Sequence, residues 1–274
     1  MLAATLLALA SACLHAGWNL IAKRSADPFS ALWGQFAIGG AISAVALIAA
    51  GGVPAEAWMW ASITGFVHVP YLVALAAAYD RGDFSLAYPV ARGGGALLAG
   101  IGGIVLLGDE IGLLAVMAIV VVVAGMLLLS YGADRVQVGF ALVVAVTIGI
   151  YSTVDAHAAR DVAGSTYVFC TFVVCAISMS AYGIAVGRTP RLIATVRARM
   201  WTFAMTGVMS VTTYGLVMLA VRRAPVGYVA ALRESSVLLA AFVGWRYLDE
   251  GNARRRMVAA AVIVTGLVLL ILAA

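Results

Sequence analysis

Four formally charged residues lie inside long apolar runs of this 274-residue chain: Arg92, Asp155, Arg233 and Glu234. A charge at the centre of a membrane helix costs on the order of 2.5–3.5 kcal/mol on insertion scales, so such residues face a protein interior or a wet cavity and mark function. Arginine keeps its charge and grips a carboxylate, phosphonate or sulfonate with two parallel hydrogen bonds. Arg92 and Arg233 are therefore candidate anion ligands, with structural pairing of Arg233 to Glu234 or Asp155 as the plainer alternative. Glu234 lies deep in its run and is the leading candidate for a proton-coupling carboxylate. Asp155, near the end of its run, reads either as a second one or as an interfacial group.

Polar and aromatic residues gather around these charges at helical spacing. Ser11, His15 and Asn19 recur at steps of four, with Trp18 beside them; this face suits a cavity wall, although Trp18 also fits an interfacial aromatic belt. His15 and His68 fit proton shuttling, since histidine titrates near neutral pH, or simple buried packing. Tyr88 stands one turn before Arg92, with Tyr71 and Tyr79 close in sequence to His68 and Arg92. Tyr214 and Tyr228 are their counterparts in the second half of the chain, and Tyr151 is the counterpart of His15. Gly93, Gly94, Gly95, Gly100, Gly102 and Gly103 follow Arg92 at spacings that let helices approach closely. A phosphate loop is excluded, because no strand precedes them and no GK[ST] follows. Cys13, Cys170 and Cys175 show neither CxxC nor Cys/His spacing and read as buried apolar residues. No metal and no cofactor are expected.

The elements that hold these residues must be membrane helices. The chain is 64% hydrophobic and 11% charged, with mean hydropathy +1.07, where a soluble domain has about a quarter of its residues charged. The net charge of +5 is spread over short loops and is not gathered on one face as nucleic-acid binding requires. Runs at 2–22, 30–50, 57–79, 84–107, 111–131, 136–158, 165–187, 199–221, 226–248 and 255–273 are each near the ~20 residues that a ~30 Å hydrocarbon core needs. They are apolar all round, so barrel strands, which alternate, do not fit. The first run has no basic residue ahead of it, with Lys23 and Arg24 behind it, so it is expected to be a retained helix and not a cleaved signal. The segment 187–199 is the longest expected loop.

Lys23, Arg24, Arg81, Arg135, Arg188, Arg191, Arg197, Arg199, Arg246 and Arg254–Arg256 fall on one side of this layout, and Arg160, Arg222 and Arg223 on the other. The positive-inside rule puts the first set in the cytoplasm, which places both termini outside it. The halves 1–131 and 136–274 also match each other. Ser11, His15, Asn19 and Arg24 correspond to Thr147, Tyr151, Asp155 and Arg160, each 136 positions later; Thr64–Gly65 corresponds to Thr206–Gly207 at an offset of 142; Arg92 corresponds to Arg233 at 141. Five helices per half put the second repeat into the membrane inverted, the design of secondary transporters with a midplane site. Arg92 lies ~12 Å and Arg233 ~10 Å into their helices, so inversion brings both near the midplane.

This arrangement resembles the EamA-type members of the drug/metabolite transporter superfamily. The motifs that carry the resemblance are "HAGWNLIAKRS", "ALAAAYDRGDFSLAYPVARG" and the acidic turns "LLGDE" and "YLDE". It implies export or exchange of small metabolites through a central cavity, and termini in the cytoplasm, opposite to the charge count. The expected protein is an all-α integral membrane transporter of the inner or plasma membrane. Its expected substrate is a small polar or zwitterionic metabolite such as an amino acid, with organic anions (phosphonates, sulfonates) second. Its other partners are the lipid bilayer and protons, and it is a monomer or homodimer. An intramembrane enzyme would need a GxSG-type serine turn or HExxH, and neither is present. A non-transporting scaffold would not need polar stripes repeated in both halves.

Overall fold

The computed structural model describes residues 2–107, 113–130, 134–233, 236 and 253–273. Ten α-helices occur among them: α1 (Leu2–Lys23), α2 (Pro28–Ala49), α3 (Ala55–Arg81), α4 (Phe84–Leu107), α5 (Leu113–Ser130), α6 (Arg135–His157), α7 (Tyr167–Ala185), α8 (Thr189–Val221), α9 (Val226–Arg233) and α10 (Ala253–Leu272). Five of them, and α6 and α7 each together with the turn that adjoins it, are long and apolar enough to cross a membrane.

Local chemistry fixes the boundaries. Asp27 caps α2 by accepting the Ser30 amide at 3.2 Å, and Pro28 occupies the first turn, where its missing N–H costs nothing. Asp134 caps α6 through the Val136 amide at 3.0 Å. Gly187, at φ +70, ends the turn after α7 in a conformation that favours glycine. A five-residue π-turn, Ala158–Val162, continues α6 and holds one residue more than an α-turn would.

The expected loop 187–199 is instead helical. Pro190 starts it, Arg188 and Arg191 pair with Asp27 at 3.8 and 2.9 Å, and the backbone breaks only at Arg199 (φ −133, ψ 30). Residues 189–198 thus form a separate arm on α8. An apolar-periodic run can be told from a loop by hydropathy, but a short polar helix cannot.

The polarity of the bundle is reversed from that of a soluble protein. Val45, Ile48, Phe66, Val105, Leu127 and Trp201 are exposed, whereas Gln35, Thr64, His68, Arg92, Asp155 and Arg233 are buried. An apolar outside with a polar inside is the pattern of a multi-pass membrane protein.

Neighbouring helices come in exchanged pairs: α1 packs on α8 as α3 packs on α6, α2 on α8 as α3 on α7, and α1 on α9 as α4 on α6. Glycines make the tight crossings. A Cβ on Gly94 would lie 2.8 Å from Ala145 Cβ, one on Gly95 2.5 Å from Ile148, and one on Gly102 2.3 Å from Thr153 Oγ1, all on α6. The glycines after Arg92 therefore serve helix packing. Gly65 meets Val174 and Ser178 of α7, and Gly207 meets the α2 backbone at Gly39 and Gln35.

Helix ends are closed by cations from a different helix. Lys23 Nζ donates to Tyr79 O (2.6 Å) and Gly82 O (2.7 Å) at the end of α3. Arg160 donates from Nε to Val221 O (2.8 Å) and from Nη2 to Ala224 O (3.1 Å) at the end of α8. The accepting carbonyls differ by 142 positions in both cases. The partner of Arg160 is thus Lys23, 137 positions earlier, and not Arg24; the extra residue in the π-turn accounts for the change from 136. Gln137, at the start of α6, donates to Ala78 O and Asp83 O. The 23 residues of α6 then run ~34 Å, so the two cation caps sit at opposite ends of the bundle.

Candidate functional site

A cavity of about 40 Å³ lies at the centre of the bundle. That is room for a few waters at ~10–15 Å³ of such space each. Its wall includes His15 and Trp18 from α1, Gln35 and Phe36 from α2, His68 and Tyr71 from α3, Tyr151 from α6, Phe172 and Cys175 from α7, Ser210, Thr213 and Tyr214 from α8, and Arg233 from α9.

Five rings close into a collar around it. Ring centroids are 5.8 Å apart for Phe36–His68, 4.4 Å for His68–Tyr151, 6.3 Å for Tyr151–Tyr214, 6.3 Å for Tyr214–Phe172 and 5.4 Å for Phe172–Phe36. Four of the five separations fall within the ~4.5–7 Å range of favourable aromatic pairs, and His68–Tyr151 sits at its lower edge. Between the rings, Trp18 Nε1, Gln35 Nε2, Ser210 Oγ and Thr213 Oγ1 are buried and make no hydrogen bond among the described residues. Two of these atoms can only donate and the other two donate readily, so the wall is chemically prepared for an acceptor. Arg233 adds a permanent positive charge to the same wall.

Beside the cavity, Asn19 Nδ2 donates to His15 Nδ1 at 3.0 Å and to His15 O at 2.9 Å. Tyr88 Oη is 3.0 Å from His15 Nδ1 and 3.0 Å from Ser236 Oγ, and Tyr79 Oη donates to Asn19 Oδ1 at 2.8 Å. Since an amide nitrogen only donates, Nδ1 accepts, and the ring proton in that arrangement sits on Nε2. Arg92, expected to face the cavity, is buried on α4 and is not among the residues that line it.

Asp155 is fully buried and not interfacial. It accepts from Thr64 Oγ1 (2.5 Å), from Tyr167 Oη (2.8 Å) and, by a short bond, from Tyr214 Oη. One carboxylate thus joins α3, α6, α7 and α8, and reaches the cavity through the back of Tyr214.

The family model of the EamA-like transporter family matches residues 136–272, half of the chain. The chain belongs to the EamA-like transporter family. No curated protein matches it. A solved crystal structure is similar at 19% identity with a TM-score of 0.69, covering 98% of this chain and 97% of that one; the likeness is one of fold.

In this EamA-like transporter the sequence-selected residues His15, Trp18, His68, Tyr71, Tyr151, Tyr214 and Arg233 share one wall, and Asn19 and Tyr88 hold His15 from behind. Trp18 belongs to the wall and not to an interfacial belt. Glu234 and both acidic turns lie outside the described residues. Sequence reasoning missed Gln35, Phe36, Thr171, Phe172, Cys175, Ser210 and Thr213. Gln35 carried a usable signal, as the one amide of the run 30–50; Phe36 and Phe172 carried none, since a ring facing lipid and a ring facing a cavity look alike in sequence.

Proposed function

We propose that the chain is a secondary transporter of small zwitterionic metabolites, amino acids among them, working by alternating access in the inner or plasma membrane. In this reading ten helices cross the bilayer as two inverted five-helix repeats, 1–131 and 136–274. The exchanged helix neighbours and the paired cation caps at opposite ends support the repeat. The end bearing Lys23, Arg81 and Arg188 faces the cytoplasm, in keeping with its excess of basic residues.

The observation that carries the substrate reading is the wall itself. Arg233 offers a carboxylate two parallel bonds, and the Trp18, Gln35, Ser210 and Thr213 donors complete its solvation. No carboxylate lines the cavity among the described residues. A substrate ammonium would therefore rest on the ring faces of the collar, where a desolvated cation–π contact is worth about 2 kcal/mol. Arg92 is assigned to the same anion, reached when the cavity changes shape. Proton coupling is assigned to Asp155 and Glu234.

The lining also favours a second reading, transport of organic anions, because its one charged group among the described residues is a cation. The two readings separate in reconstituted vesicles. Counterflow of an amino acid is compared with that of its deaminated acid, with and without an imposed pH gradient. The zwitterion reading expects the amino acid to be faster; an equal or faster deaminated acid overturns it, and no flux of either class overturns transport of both.

A further inference from the structure

The two ends of the bundle are closed differently. At the Lys23 end, five buried side chains form a ring: His15 bonds Asn19, Asn19 accepts from Tyr79, Tyr79 packs on Phe84 (centroids 5.6 Å), Phe84 on Tyr88 (5.0 Å), and Tyr88 returns to His15. Tyr79, Phe84 and Tyr88 are each at most 2% exposed. The backbone beneath is held from three helices. Lys23 binds Tyr79 O and Gly82 O, Gln137 binds Ala78 O and Asp83 O, and Arg256 donates to the Asp83 carboxylate and to Ser85 Oγ.

At the Arg160 end the repeat register puts Val221 opposite Tyr79 (142 positions), Pro225 opposite Phe84 and Val229 opposite Tyr88 (141 each). No aromatic ring stands at any of the three, and Tyr228, beside Val229, turns instead to Thr5 of α1 at 2.7 Å. Val221 and Val229, with Val226, instead line a second cavity of about 20 Å³. Tyr214 and Arg233 line this cavity and the central one, so the two spaces meet at those side chains. Within the plug, His15 alone also belongs to the wall of the central cavity.

We propose that Tyr79, Phe84 and Tyr88 form an aromatic gate at the Lys23 end, latched to the substrate site through Asn19 and His15, while the site communicates with the Arg160 end through the valine-lined space. Tyr79 and Asn19 are then gating residues and His15 is the coupling residue. A ligand that takes over the hydrogen bonds of His15 removes the anchor that Tyr88 and Asn19 share. The purpose of the gate rests on the transport reading; its existence is a matter of access and needs no substrate to test.

Cys170 and Cys175 are both fully buried, but only Cys175 lines the cavity, so Cys175 is a native reporter of access through that space and Cys170 a native control for unfolding. In a Cys13→Ala background, sealed vesicles of each orientation are treated with a small charged impermeant thiol reagent, and each cysteine is quantified by mass spectrometry. In the parent, Cys175 should react from the Arg160 side at least tenfold faster than from the Lys23 side. Tyr79→Ala should raise the Lys23-side rate at least tenfold with Cys170 still protected. Tyr79→Phe, which keeps the ring and loses the bond to Asn19, should raise it less, and it carries the test if Cys170 reacts in the alanine variant. Equal reaction of the parent from both sides, reaction mainly from the Lys23 side, or unchanged sidedness in the folded variants overturns the gate. Sided labelling in vesicles that show no counterflow of any metabolite would defeat transport and leave the gate standing.

Discussion

Removing the Asp155 carboxylate should loosen the bundle by a calculable amount. Asp155 accepts from hydroxyls on α3, α7 and α8. Interhelical hydrogen bonds in membrane proteins average ~0.6 kcal/mol and reach ~1.7, so three lost bonds are worth about 2–5 kcal/mol. Charge assistance favours the upper part of that range. At roughly 2 °C per kcal/mol for a chain of this size, Asp155→Ala should lower the melting temperature by about 4–10 °C. Asp155→Asn keeps one acceptor oxygen, which can serve two hydroxyls, and turns an N–H toward the third. It should lose about one bond together with the charge assistance, about 1–2 kcal/mol, or roughly 2–4 °C. Thermal unfolding of both variants in detergent tests this directly. An alanine variant as stable as the parent, or an asparagine variant less stable than the alanine one, would show that the three hydroxyls do not depend on this carboxylate.

Other outcomes follow from the same geometry. Gly95→Ala places a methyl 2.5 Å from Ile148 and should cost about 1–3 kcal/mol by overpacking; Ile148→Ala in the same chain should recover most of it, and a double variant no better than the single refutes the contact. Arg160→Met should lose about 1–2 kcal/mol by uncapping α8, with Arg160→Lys in between, as read by melting temperature. Arg92→Leu should lose flux in vesicles, and Arg92→Lys should fare little better; a fully active Arg92→Leu removes Arg92 from the substrate site. Ala194→Cys, on the arm of α8, should label with an impermeant reagent only after lysis of intact cells, and labelling beforehand reverses the orientation.

Helices that meet lipid were legible, because lipid contact demands unbroken apolar runs, and the bounds of α4 agree with the sequence reading to the residue. The arm 189–198 was not, since a short polar helix lacks that mark. Within the site, residues that violate the apolar rule were visible: His15, His68 and Arg233 stand out in any hydrophobic run. Phe36 and Phe172 obey the rule while facing inward, and only packing tells them from lipid-facing rings. Depth alone left Asp155 open between a coupling group and an interfacial one; Thr64, Tyr167 and Tyr214, from three other helices, enclose it. For Arg92 the sequence told burial but pointed the side chain at the cavity, whereas it is not among the residues that line it.

The π-turn at Ala158–Val162 also has a meaning for how this chain tolerates change. It absorbs one residue inside a continuous helix. Everything before it, Tyr151 and Asp155 included, keeps its facing, while everything after it is turned by about 100° relative to an uninterrupted α-helix. The joint therefore works as a length buffer between the ligand-facing part of α6 and the connector that leads to α7. Insertions or deletions on the connector side can be taken up there as a change of winding, so the outer surface at this end is free to drift in length while the collar below it stays in register.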